Sequence, residues 1–101
     1  MEEELVKGIV KEVREEFGIP PFYGDGPLQN YAKEGEQFLK QRVEEIDFKA
    51  DLVARSLVKN YINYAYHQRT DEFFINYKDT IDAWWESKIP VIIHENTAAG
   101  I

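Results

Sequence analysis

The side chains best suited to hold a metal or move a proton near neutral pH are His67 and His94, the two histidines of the chain. They lie far apart in sequence. His67 has no acidic partner four residues away on its own predicted helix, because Asp71 falls beyond the helix break. It reads more simply as a polar residue near a helix C-terminus, where partial positive charge is favourable. Carboxylates are plentiful, and Glu34, Asp51, Asp79 and Asp82 are candidates for pairing. No Glu-x-x-His spacing accompanies them, as a di-metal helical bundle would need. Ser56 and Ser87 have no base placed beside them in sequence. Gly24-Asp25-Gly26 lacks the preceding strand and following lysine of a phosphate-binding loop. Cysteine is absent, which excludes disulfides and thiolate chemistry. The reading is therefore of a non-enzyme: no catalytic residue, no cofactor and no metal ligand is assigned.

Partner binding remains as the source of function, and the aromatic residues carry that case. Tyr61, Tyr64, Tyr66, Phe73, Phe74, Tyr77, Trp84 and Trp85 fall in one stretch. A small bundle cannot readily enclose so many large side chains. Tyr61, Phe74, Tyr77 and Ile81 are expected in the core. Ile62 and Tyr66 face away from the line through Val53, Leu57 and Tyr64. Trp84 and Trp85 are neighbours and cannot point the same way. Surplus aromatic surface with arginine nearby is where interfaces concentrate binding energy. The candidate interface residues are thus Phe22, Tyr23, Arg55, Ile62, Tyr66, Trp84 and Trp85, together with Val91, Ile92 and Ile93.

The same aromatics make a poor nucleic-acid platform. Stacking surfaces hold single strands when set in a basic groove, and here the neighbours are Asp71, Glu72, Asp79, Asp82 and Glu86. The formal net charge of −7 points the same way, since phosphate binding needs a local excess of Lys and Arg. A helix-turn-helix reading of the second and third helices fails because the polar side of the third offers only Arg55, Lys59, Asn60 and Asn63.

These residues must be positioned by helices. Leu5, Val6, Ile9, Val10, Val13 and Phe17 recur at helical spacing over about Glu2–Phe17. Gly18 stops that helix and Pro20-Pro21 prevents its resumption. Ile19–Gly26 is a defined loop, and Pro27 suits the first position of a second helix, about Pro27–Val43. Its stripe is Leu28, Tyr31, Ala32, Gly35, Phe38, Leu39 and Val43. Gly35 costs roughly 1 kcal/mol relative to Ala in a helix interior, so another helix is expected to approach closely there. Asp47 is the expected cap of a third helix, running to about His67 and apolar over more than half its circumference. Thr70 is the expected cap of a fourth, ending near Lys88 because Pro90 follows. The expected fold is all-α: a small antiparallel bundle of four helices over residues 1–88, with an extended C-terminal tail over 89–101. The tail's β-branched Val91-Ile92-Ile93 have no obvious local partner, so the tail is expected to order on assembly. The acidic start Met1-Glu2-Glu3-Glu4 is unlike a secretory signal. No segment approaches the length of a membrane span, so no membrane association is expected.

One stretch is similar to a known family. Ala50-Asp51-Leu52-Val53-Ala54-Arg55-Ser56-Leu57-Val58-Lys59-Asn60-Tyr61-Ile62-Asn63-Tyr64-Ala65 resembles the third helix of the head–tail connector (adaptor, head-completion) proteins of long-tailed bacteriophages. In these a run of leucines leads to a tyrosine, a basic residue and Tyr-Ala. Thr70-Asp71-Glu72-Phe73-Phe74-Ile75-Asn76-Tyr77-Lys78-Asp79-Thr80-Ile81 is similar to the family's following Asp-Glu-Phe, Tyr and acidic–aliphatic turn. The Ile-Pro loop, Asp25, Leu28, Tyr31, Ala32, Phe38 and Leu39 agree in outline, so the likeness covers about residues 3–88. Asn63 departs where a basic residue is typical, and Trp84-Trp85 where smaller aliphatics are.

The resemblance implies a structural subunit of the phage neck, made in the host cytoplasm and carried in the virion. Copies would form a ring, by family habit a dodecamer, beneath the portal protein and present a surface to a further neck or tail-completion protein. DNA would pass through the ring's channel without specific binding, and an acidic lining would suit that passage. Residues 89–101 would reach towards the portal, and Ile19–Gly26 would meet the next ring. The alternative is a small helical interaction or regulatory protein outside the virion, or a neighbouring neck or tail-completion subunit.

Overall fold

The computed structural model describes residues 1–89, which form five α-helices, the first three joined by longer loops and the last three by short turns. They are α1 (Glu3–Phe17), α2 (Asp25–Lys40), α3 (Leu52–Tyr66), α4 (Thr70–Asn76) and α5 (Lys78–Ser87). The first three pack on one another, with α2 and α3 in the most extensive contact. The α4 helix lies on α3, while α5 touches both α3 and α4. This corrects the expected four-helix bundle with a tail. The fold is a three-helix unit with two shorter helices folded back along α3, and residues 90–101 lie outside the described residues.

The α1 helix buries Val6, Ile9, Val10 and Val13, the i, i+3, i+4, i+7 stripe of an amphipathic helix. It ends at Gly18, whose φ of 64° is the left-handed C-cap that glycine adopts without steric cost. The α2 helix starts two residues earlier than Pro27, at Asp25. Pro27 still lies in the first turn, where a missing N–H leaves no intrahelical bond unmade. Gly35 faces α3 so closely that a Cβ there would sit 3.3 Å from Cδ1 of Tyr61.

The α2 helix ends at Lys40, short of the expected Val43, and the starts of α3 and α4 also differ from the sequence reading. Asp47 does not cap α3. Its Oδ1 accepts from the amides of Lys49 (3.0 Å) and Ala50 (3.3 Å), closing a turn that sends Phe48 into the core. Asp51 is the cap, accepting from the Ala54 amide at 3.1 Å. Similarly, Thr70 is the first helical residue of α4, with Arg69 at the cap position and no side-chain cap bond.

The division of residues 70–87 into two helices falls at Tyr77, with φ −105° and ψ 9°. No proline or glycine breaks the chain there. The phenol of Tyr77 donates to Oδ1 of Asn60 on α3 (2.9 Å), and its ring stacks on Phe73 at 4.9 Å between centroids. Anchoring this residue to α3 lets α5 continue along α3 towards that helix's N-terminus, where Ile81 and Trp84 are buried. A central helix packed against all four others must be apolar on most sides, and α3 buries Ala54, Leu57, Val58, Tyr61, Ile62 and Ala65.

Candidate protein interface

The loop from Gly18 to Gly24 is held by one side chain. The Arg14 guanidinium donates to the carbonyls of Pro20 (3.0 Å) and Tyr23 and to Oδ1 of Asp25 (2.6 Å). Tyr23 is half-buried, edge-on to Tyr66 at 4.8 Å. Phe22, between these anchors, points out and is 90% exposed. A large apolar ring displayed by a fastened loop is a ready contact for another molecule.

Arg55 turns to its own chain. It donates to both carboxylate oxygens of Glu12 on α1 and to the Phe48 carbonyl at 3.2 Å. Lys59 bridges Glu12 (3.3 Å) and Glu16 (2.8 Å), so the pair clamps α1 to α3. The Arg55 bond holds Glu12 below its usual pKa.

Ile62 is fully buried. Tyr66 is half-buried between Tyr23 and His67. The tryptophans divide as neighbouring helical positions must. Trp84 faces inward, and its indole N–H donates to Oδ2 of Asp51 at 2.8 Å. Trp85 faces outward with 40% of its surface exposed, and the Arg42 guanidinium lies 5.5 Å from its ring centre, within the range of a cation–π contact. Val91, Ile92 and Ile93 lie outside the described residues.

The sequence reading missed other parts of this surface. Phe74, expected in the core, is partly exposed, and Ile75 beside it is 74% exposed. Phe74 leans edge-on against Phe38 at 4.8 Å. With Arg42, Lys78, Ile81 and Asp82 they line a hollow of about 150 Å³. Arg42 connects this hollow to Trp85 and also bonds Oδ1 of Asp82 at 3.2 Å. The opposite flank of α5 borders a groove of about 520 Å³ formed by Val53 with Thr80, Ala83, Trp84 and Ser87, and edged by Asp51 and Asp79. Leu52 and Val53 at the start of α3 are exposed. The α5 helix therefore has an aromatic hollow on one flank and an apolar groove on the other.

The carboxylates considered for chemistry have structural or solvent-facing positions. Asp51 accepts from Trp84, from Lys88 (2.7 Å) and from the Ala54 amide. Burial alone would raise its pKa, but these donors outweigh burial and hold it below the usual value. Asp82 pairs with Lys78 and Arg42, and Glu34 is exposed. Ser87 donates to the Trp84 carbonyl at 2.5 Å. Among the described residues, no group of three or more His, Cys, Asp or Glu side chains is placed to hold a metal ion. Nor is any helix among them long and apolar enough to cross a membrane. Comparison of the chain with protein-family models, with curated proteins and with solved structures returns no match.

Proposed function

We propose that this chain is a non-catalytic subunit that works by binding other proteins through the surface around α4 and α5. The observation that carries the reading is the apolar side chains left uncovered there: Ile75 at 74% exposure, Leu52 at 70%, Val53 at 47%, Phe74 at 41% and Trp85 at 40%. Exposed aliphatics scattered singly need no explanation, whereas aromatics grouped with an arginine have the composition of an interface centre. Phe22 on its fastened loop supplies a second, separate contact.

The head–tail connector is a narrower form of this proposal. Its support is the residue pattern of 50–65 and 70–81. In that form the subunit joins a portal ring to the next neck or tail-completion protein, with its copies arranged around a DNA channel. The broader form covers a helical interaction or regulatory protein outside the virion equally well. Electron microscopy of the full chain mixed with a portal ring separates the two. A portal gene beside this one identifies which ring to use. A ring of added density beneath the portal supports the connector. Free portal beside free subunit leaves the regulatory form. Loss of partner binding on changing Trp85 and Phe74, with folding intact, tests the surface common to both.

A further inference from the structure

The hollow between the end of α2 and the α4–α5 helices carries the opposite sign to the chain as a whole. Its apolar lining is Phe38, Phe74 and Ile81, and its charged lining is Arg42, Lys78 and Asp82. Two cations thus stand with one carboxylate, on a chain whose formal net charge is −7. The groove on the other flank of α5 gives the contrast, since the charged residues that edge it are Asp51 and Asp79.

Asp82 engages both cations at once. Its Oδ1 accepts from Nη1 of Arg42 (3.2 Å) and its Oδ2 from Nζ of Lys78 (2.8 Å). A guanidinium has five N–H donors and an ammonium three, so each cation keeps donors beyond those that Asp82 uses. Both residues are exposed, and the Trp85 ring lies against the Arg42 guanidinium and helps to set its position. Carboxylates accept strongly from such donors because both groups are charged, and arginine can bond both oxygens of one carboxylate. The apolar lining defines the rest of a ligand. A hollow of about 150 Å³ takes one ring or one branched aliphatic side chain, since an apolar cavity of about that size binds benzene.

We infer that this hollow takes one large apolar side chain from a segment of another protein, and that an Asp or Glu beside that residue bonds Arg42 and Lys78. The inference rests on the binding-subunit reading above and adds the chemistry of the partner. A partner segment rich in Lys or Arg would bring like charge against both cations, which costs affinity. A nucleic acid fits no better, because backbone binding draws on many cations and two stand here.

Selection of a displayed library of random short peptides on the immobilised full chain tests this. Peptides held by the chain but released by Phe74→Glu are those that use the hollow. Circular dichroism first establishes that each variant folds, and Phe74→Ala serves if the glutamate unfolds α4. The hollow-dependent peptides are expected to carry a Leu, Ile, Met or aromatic residue with Asp or Glu within a helical turn of it. Their affinity is expected to fall by roughly tenfold or more for Arg42→Glu/Lys78→Glu, where like charges meet. Selection on that double variant is expected to return Lys or Arg in place of the acids, a reversal that damage to the fold would not produce. Hollow-dependent peptides with no acidic bias, or the same peptides from both chains, overturn the acidic partner and leave the α4–α5 surface as an interface. A library with no peptide released by the Phe74 variants overturns the surface as well. A full chain that self-associates on its own and is dispersed by Phe74→Glu assigns the hollow to a second copy, which also overturns the inference.

Discussion

The indole nitrogen of Trp84 lies 2.8 Å from Oδ2 of Asp51, which ties the last described helix to the N-terminus of the central one. Asp51 also caps α3 and pairs with Lys88, so one carboxylate fixes the start of α3 and the C-terminal half of α5. Trp84→Phe keeps most of the ring and removes the donor. We expect it to cost about 1.5–3 kcal/mol, the range for a hydrogen bond to a charged group. Trp84→Ala should cost more, about 3–5 kcal/mol, because it also leaves a cavity. Urea unfolding of the variants measures both. Equal losses in the two would show that the bond contributes everything and the packing nothing.

Acid should loosen this junction. Asp51 and Glu36 are both held below their ordinary values, 3.8 and 4.5. For Glu36, burial pushes upward and is outweighed by the Met1 ammonium and Lys40. A carboxylate with a depressed folded pKa binds protons more weakly in the folded state than in the unfolded state. Its contribution is therefore complete above the ordinary value and declines as pH falls through the depressed one. Stability should be flat near neutrality and drop below about pH 4. Asp51→Asn, measured by thermal unfolding at several pH values, should start less stable and show a shallower acid decline. An unchanged slope would mean that Asp51 does not drive it.

Gly35 and Gly8 form a matched pair with opposite expected signs. At Gly8 an added methyl meets nothing within 4 Å, so Gly8→Ala should gain up to about 1 kcal/mol from helix propensity. At Gly35 the methyl would press on Tyr61, which is itself wedged edge-on against Phe73 at 5.4 Å. The strain of overpacking, about 1–3 kcal/mol, should exceed the propensity gain, leaving Gly35→Ala net destabilised. Denaturant midpoints of the two variants decide it.

Gln68 is the non-glycine residue with positive φ, 59°, among those described. It forms the reversal from α3 to α4, where the Arg69 amide bonds the Tyr64 carbonyl at 2.8 Å. A left-handed residue with a Cβ costs about 1–2 kcal/mol, partly offset by the greater unfolded entropy of glycine. Gln68→Gly should therefore stabilise by about 0.5–1 kcal/mol. Gln68→Val should destabilise, because β-branching makes this conformation harder still. Thermal melts of the pair provide the comparison.

How far the sequence revealed this arrangement depends on which forces acted. The first three helices were legible because their apolar periodicity and Gly18 are local signals, and Gly35 announced a close approach that Tyr61 supplies. The start of α3 is ambiguous in sequence because Asp47 and Asp51 are both plausible caps, and the choice is made by Phe48 entering the core. The break at Tyr77 had no local signal at all. It depends on Asn60, seventeen positions away. For the candidate surface, adjacency required Trp84 and Trp85 to diverge but could not say which turned inward. That is decided by a donor needing the Asp51 carboxylate. Phe74 shares a core-facing side with Tyr77 and Ile81 only in a helix that runs unbroken through Tyr77, and the division there leaves it partly exposed.

The exposed aromatic surface should be separable from stability. Trp85 receives Arg42 over its ring but is 40% exposed, and Ile75 is 74% exposed. Ile75→Glu should therefore change unfolding free energy by no more than about 0.5 kcal/mol, as for surface positions generally. Trp85→Glu should cost slightly more, through loss of a cation–π contact worth about 0.5–1 kcal/mol at an exposed site. If this surface is an interface centre, the same substitutions should lower partner affinity by tenfold or more, since truncating a central anchor costs about 2 kcal/mol or more. Calorimetric titration with the partner, beside urea unfolding of each variant, reads both quantities. Affinity that falls only as stability falls would make these residues part of the fold and nothing more. Affinity that falls while stability holds would assign the α4–α5 surface to binding, because a side chain the monomer hardly uses has no other route to that effect.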